Sequence, residues 1–398
     1  MLVALVALVG CSGCVWMERS SVSSDPTAAQ ANAASTSPSL SQAGRYVAFQ
    51  SAATNLVAAD TNGVSDVFVR DTVAKTTERV SVASDGTQGN GASTAPAISD
   101  DGRFVAFSTD ASNLVAGDAD DDTDIVLHDR LLGTTTLMST DVEVPPPLVP
   151  GEFDATGAAI SGDGGVVAFT ISIPFGTFCC APLGPYVRDA AAQTTTRMPA
   201  AGGGLAWGKA SLSDDGSRVA YGEFSPPDQL GNATFATFVA DTASATLVTT
   251  VASGQLSHQG QSYFEVSLSG DGGTASFLYV NFQIGTLYRF ELDQPALVPI
   301  LDGLGGPRGV GVSDDGSVFG LVIGADYVIT DAAGSPPRIM SADPAGTPAS
   351  TPEGVSADLS GDGRFVAFAS SDPDLLSGDT NGVGDVFVRA TAHGISPS

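Results

Sequence analysis

Along most of this chain apolar and polar residues alternate in short runs, and clusters of Gly, Ser, Asp and Asn break the runs. A period of two between turn residues predicts short, half-buried strands rather than helices. One turn-and-strand unit recurs: SQAGRYVAF from Ser41, SDDGRFVAF from Ser99, SGDGGVVAF from Ser161, SDDGSRVAY from Ser213 and SGDGGTASF from Ser269. SDDGSVFGL from Ser313 and SGDGRFVAF from Ser360 bring the copies to seven, spaced 44 to 62 residues apart. Within this strand Val47 and Phe49, Val105 and Phe107, Val167 and Phe169, Val219 and Tyr221, and Val366 and Phe368 share one face. The small residues Ala48, Ala106, Ala168, Ala220, Ser276, Gly320 and Ala367 sit on the other. Bulky faces laid on small-residue faces let neighbouring sheets pack closely.

Each unit carries four apolar pulses, in the second unit TAPAIS from Thr94, RFVAFST, DIVLHD and TTLMST. Four short strands per unit predict a four-stranded antiparallel blade, and seven such units predict an all-β, seven-bladed β-propeller. The seventh unit stops after its third strand, DVFVRA (385–390). The segment MERSSVSSD (17–25) aligns with TERVSVASD (77–85), the fourth strand of blade one. The N-terminal strand is therefore expected to complete the last blade and remove an open sheet edge. On this reading residues 1–16 are an export signal and short linker, 17–390 the propeller, and 391–398 a tail.

The S-x-D-G-R-x-[VI]-A-F turn and strand, followed by a D-[VI]-[FY]-V-x-D strand, resembles the TolB-like (WD-repeat-like) β-propeller repeats of bacterial exported proteins. The resemblance covers nearly the whole chain and implies blade architecture; such repeats serve many functions.

Antiparallel order places the tight S-x-D-G corners on one face of the ring and the longer second-to-third and fourth-to-first loops on the other. Binding usually resides in such loops on a rigid scaffold. Three of them share a pattern: NLVAADTNGVSDVFV from Asn55, NLVAGDADDDTDIVL from Asn113 and DLLSGDTNGVGDVFV from Asp374. Asp60, Asn62 and Asp66, Asp118, Asp120 and Asp124, and Asp379, Asn381 and Asp385 resemble the later part of a calcium loop, which needs six to eight hard oxygens. Ala58, Ala116 and Ser377 leave each loop one ligand short. The same residues also read as capped turns, because Asp and Asn bond their own backbone and Asn-Gly takes positive φ readily.

Lys+Arg 16 against Asp+Glu 44 gives a net charge of -28, which repels nucleic acid and anionic lipid. The apolar run Met1–Val9 leads into Leu8-Val9-Gly10-Cys11, which resembles a bacterial lipobox with Cys11 as the lipidated residue. That points to an exported monomer, periplasmic or at the cell surface, touching a membrane only through a lipid anchor. Cys179 and Cys180 are adjacent and read as a vicinal disulfide or as two loop thiols; Cys11-x-x-Cys14 lies in the signal-like run and no second C-x-x-C pairs with it to make a zinc site.

Catalysis finds little support. His128, His258 and His393 stand at unrelated places in the repeat, and no H-E-x-x-H, G-x-S-x-G or Walker-type motif occurs. His128 shares the slot of Arg70, Arg188 and Arg389, and is therefore expected to be a solvated strand residue. The expected function is a non-catalytic binding or scaffolding propeller, with calcium as the one candidate cofactor. Its partner would be an envelope or extracellular protein, peptide or glycan met by the long-loop face. The rival is a propeller lyase or hydrolase using acidic residues or a metal at the central channel.

Overall fold

The computed structural model describes residues 15–25, 27–118, 122–142, 153–173, 181–199, 205–224, 233–256, 263–281, 284–324, 326–349, 356–392 and 397. They form seven four-stranded antiparallel sheets. Six of these run in chain order from inner to outer strand. In the seventh, Ala357–Leu359, Phe365–Ser370 and Asp385–Ala390 are completed by Met17–Arg19, with Met17 opposite Arg389 and Arg19 opposite Phe387. The clasp is thus made by the first three residues of the aligned segment. Residues beyond it turn into a hairpin bridged between Val22 and Gln30, as residues of blade one do between Val82 and Gln88.

The alternation of bulky and small residues works as expected between blades. Val47 and Phe49 of blade one pack with Ala367, Val386 and Val388 of blade seven. Its small face, Ala48 with Val67 and Val69, receives Val105 and Phe107 of blade two. The valine and phenylalanine side chains among these are fully buried, each worth about 1.5–3 kcal/mol relative to exposure.

The repeated corner is built by its own residues. In blade two Ser99 Oγ donates to Asp101 Oδ1 at 2.9 Å and accepts from Phe104 N at 2.9 Å, while Asp101 Oδ1 accepts from Arg103 N at 2.8 Å. Gly102 has φ +73°, and a Cβ there would overlap the Tyr46 ring of the preceding blade. Glycine is therefore required twice, by conformation and by blade contact. The Asp that ends the third strand in five of the blades also caps a turn, as Asp71 Oδ1 does by accepting from Val73 N and Ala74 N, both at 2.8 Å.

One expectation is corrected. His128 is buried, not solvated, as are Arg70, Arg188 and Arg389 in the same slot. Their partners come from the corner and outer strand of their own blade and from the segment after the outer strand of the preceding one. Arg70 Nη1 donates to Thr77 Oγ1 at 3.1 Å, Lys75 O at 3.0 Å and Ser23 O at 3.4 Å, and Arg389 Nη1 to Met340 O at 3.2 Å. His128 Nδ1 lies 2.9 Å from Thr135 Oγ1.

Candidate functional site

Two regions hold the polar groups that could act on a ligand: the long-loop face over blades seven, one and two, and the central channel. On the face, the loop of blade one is knotted to the strand entry of blade two. Gln88 Nε2 donates to Asp60 Oδ1 at 2.8 Å and Asp66 Oδ2 at 3.0 Å, and Asn62 Nδ2 to Gly89 O at 3.0 Å. Arg79 Nη1 stands 3.5 Å from Asp60 and 3.8 Å from Asp66. Blade seven repeats the arrangement through the clasp: Arg19 reaches Asp379 at 3.1 Å and Asp385 at 3.2 Å. Ser21 Oγ donates to Asp385 Oδ1 at 2.5 Å, and Asn381 Nδ2 to Asp385 Oδ2 at 3.0 Å. In these two loops a guanidinium already faces the carboxylates proposed as calcium ligands. In blade two Leu137 occupies the place of Arg79 and Arg19. There Asp124 Oδ1 accepts from Ser139 Oγ, and Asp122 Oδ2 accepts from Phe153 N at 3.1 Å. Asp120 lies outside the described residues, as do Cys11, Cys179, Cys180, His258 and His393. Among the described residues no group of three or more His, Cys, Asp or Glu is placed to hold a metal ion.

The innermost strands line a channel with a volume of 510 Å³. An inner strand has a free edge toward the lumen, and side chains from the preceding blade satisfy part of it. Ile98 N donates to Ser39 Oγ at 3.3 Å, Leu268 N to Ser211 Oγ at 3.0 Å, Val310 N to Glu265 Oε2 at 3.1 Å and Leu40 N to Asp358 Oδ2 at 2.8 Å. Burial pushes both Asp358 and Glu265 above the usual carboxylate range. Lys209 stands on the same wall, exposed to the lumen although protein surrounds it, and burial lowers its basicity.

At the tight-corner end, the second residue of each S-x-D-G forms a collar: Gln42, Asp100, Gly162, Asp214, Gly270, Asp314 and Gly361. Neighbouring corners are stitched by backbone bonds, including Asp100 N to Gly162 O at 2.9 Å, Asp214 N to Gly270 O at 2.8 Å and Asp314 N to Gly361 O at 2.8 Å. Each Asp leans over the glycine of the next blade, where a Cβ would overlap its carboxylate. Seven is odd, so alternation of Asp and Gly cannot close. The odd place falls to Gln42, whose Nε2 donates to Asp314 Oδ2 at 3.0 Å. Burial, then the nearby Asp314, Asp101 and Asp163, raises Asp100 to about 6. Burial, then Asp100, Asp314, Asp215 and Asp271, raises Asp214 to about 7. Asp314 is also raised by burial.

The fold comparison can now be placed beside this geometry. Oligogalacturonate lyase from Vibrio parahaemolyticus is similar over 96% of this chain and 98% of its own, at TM-score 0.60 and 10% identity. A manganese complex of oligogalacturonate lyase matches over 90% of this chain and 89% of its own, at TM-score 0.57 and 12% identity. TolB from Acinetobacter baumannii matches over 68% of this chain, at TM-score 0.40 and 18% identity; the present chain spans 55% of that TolB. The likeness is one of fold. No protein-family model and no curated protein matches the sequence. The propeller read from the repeats stands, TolB is among its structural neighbours, and activity has to be argued from the site.

The collar and Lys209 were missed by sequence reasoning. The collar could have been found by aligning the second position of the seven corners. Lys209 carries no such signal, because blade four alone has a lysine there.

Proposed function

We infer that this is an exported binding propeller whose long-loop face meets an envelope or extracellular protein, peptide or glycan. The observation supporting it is the preorganised surface over blades seven, one and two. Gln30 Oε1 accepts from Thr380 N at 3.1 Å, and Gln88 Oε1 from Thr61 N at 3.2 Å, so each loop tip is held by the neighbouring blade. Loops already fixed in place lose little entropy when a partner binds. Thr61 and Thr380 are exposed at the tips. A photo-crosslinking residue at Thr61 or Thr380 is expected to give discrete adducts with envelope components, while one at Val73, on an opposite-face corner, gives none. Equal adducts at all three sites, or none anywhere, overturn the reading.

The collar favours a second reading. Carboxyls raised to about 6 and about 7 are matched to acid–base work near neutral pH, so a lyase or hydrolase acting at that mouth is the rival. Asp214→Asn would abolish such an activity and leave crosslinking at Thr61 unchanged. Calcium is proposed for the blade-two loop, through Asp118, Asp120 and Asp124, because its acidic run Asp120, Asp121, Asp122 and Asp124 is the densest of the three loops. Export and a lipid anchor at Cys11 complete the proposal.

A further inference from the structure

The channel wall contains one ionic group that its architecture does not use. Asp358 and Glu265 are turned to the wall and bond the backbone of the next blade, Asp358 to Leu40 N and Glu265 to Val310 N. Lys209 is different. Among the described residues it makes no hydrogen bond and no ion pair, and it is the one cationic side chain lining the channel. Its strand, Leu205–Leu212, is bulged between Trp207 and Ser211, and a bulge re-aims the side chains it carries. Ser211, also lining the channel, accepts one backbone bond through Oγ and retains its own proton to donate. Ser39 and Ser267 add further hydroxyls to the wall.

We propose that Lys209 is the anchor of a ligand subsite inside the central channel, taking the carboxylate of a small hydroxylated acid, with the Ser211 hydroxyl donating beside it. A lumen of 510 Å³ accommodates a molecule the size of a sugar acid. Burial lowers the basicity of the amine, with the carboxylate of Asp358 acting in the opposite sense. An incoming carboxylate supplies the direct hydrogen-bonded ion pair that Asp358, bonded to Leu40 N, does not make with Lys209. This subsite does not depend on the loop-face partner proposed above.

The chain contains two lysines, and Lys75, paired with Glu18 at the rim, is an internal control. The full-length protein is labelled with trinitrobenzenesulfonate and the two lysines are followed by peptide mass spectrometry. Glucuronate, or acetate as the bare carboxylate, is expected to slow labelling of Lys209 about tenfold and leave Lys75 unchanged. Glucose is expected to protect neither. Calorimetry should show glucuronate binding lost in Lys209→Met and retained in Lys209→Arg, with the melting midpoint of both unchanged. Failure of both carboxylates to protect Lys209 overturns the proposal on the wild-type protein, whether or not the variants fold. A lower midpoint in Lys209→Met without any protection would make Lys209 a structural counter-charge to Asp358, which also overturns it.

Discussion

The collar makes the stability of this protein depend on pH in an unusual direction. An unfolded aspartate titrates near 3.9, whereas in the folded ring Asp100 and Asp214 hold their protons to about 6 and about 7. Between those limits the folded state binds more protons than the unfolded chain. The stabilisation is complete below the unfolded value and is lost as pH rises through 6 to 7. Each proton held over one pH unit is worth about 1.4 kcal/mol. From about pH 5 to about pH 8, Asp214 holds its extra proton over about two units and Asp100 over about one. Because the two carboxylates repel each other and titrate as a group, the net loss is about 2–4 kcal/mol.

Asp314, Asp358 and Glu265, also raised by burial, act in the same sense, and the chain has only three histidines. His128 acts in the opposite sense. Burial keeps its imidazole neutral, so protonation at low pH favours the unfolded chain. Comparing wild type with Asp214→Asn cancels that term. Urea unfolding from about pH 5 to about pH 8 should show the wild type losing stability as pH rises. The variant should be more stable by about 2 kcal/mol at the alkaline end and nearly equal at the acid end. A variant less stable than wild type at the alkaline end, or a wild-type stability that rises across the range, would refute the reasoning.

The clasp gives a second test. Asp385 is fully buried and Asp379 nearly so, and Arg19→Ala leaves both without their counter-charge. The expected loss is about 3–5 kcal/mol in urea unfolding, and a loss below about 1 kcal/mol would mean the ion pair is idle. Gly102→Ala should destabilise more than Gly63→Ala; both positions have positive φ, but only Gly102 abuts a ring, and equal melting midpoints would remove the blade-contact explanation. Millimolar calcium is expected to raise the melting midpoint, and Asp118→Ala with Asp124→Ala to remove the rise. A rise that persists in that variant would place the ion elsewhere. Cys11→Ser should move the protein from the membrane fraction to the soluble fraction, and unchanged fractionation would refute the anchor.

How much was legible follows from what repeats. The S-x-D-G corner is written seven times because Ser, Asp and Gly each make a local bond or adopt a local conformation within one turn, as Ser99, Asp101 and Gly102 show. Local chemistry leaves a local pattern, so the blades and the clasp could be read in advance. The burial of Arg70 and His128 could not, because part of their surroundings comes from the segment after the preceding blade's outer strand, outside the strand pattern.

The collar lies between these cases. Each of its residues is one variable position in a repeated motif, and its meaning comes only from the ring that sets Asp100, Asp214 and Asp314 around one axis. Aspartate at a tight corner is ordinary turn chemistry in one blade. Burial where the corners converge on the channel mouth raises all three, and the neighbouring carboxylates add to it for Asp100 and Asp214, a property of the assembled circle and of no single repeat. Lys209 is the extreme case: it occurs in one blade, has no counterpart in the other six, and gains significance only because the acids around it are bound to the wall. In a propeller the repeated positions specify the ring, and the positions that break the repeat are where a ligand can be told from the scaffold.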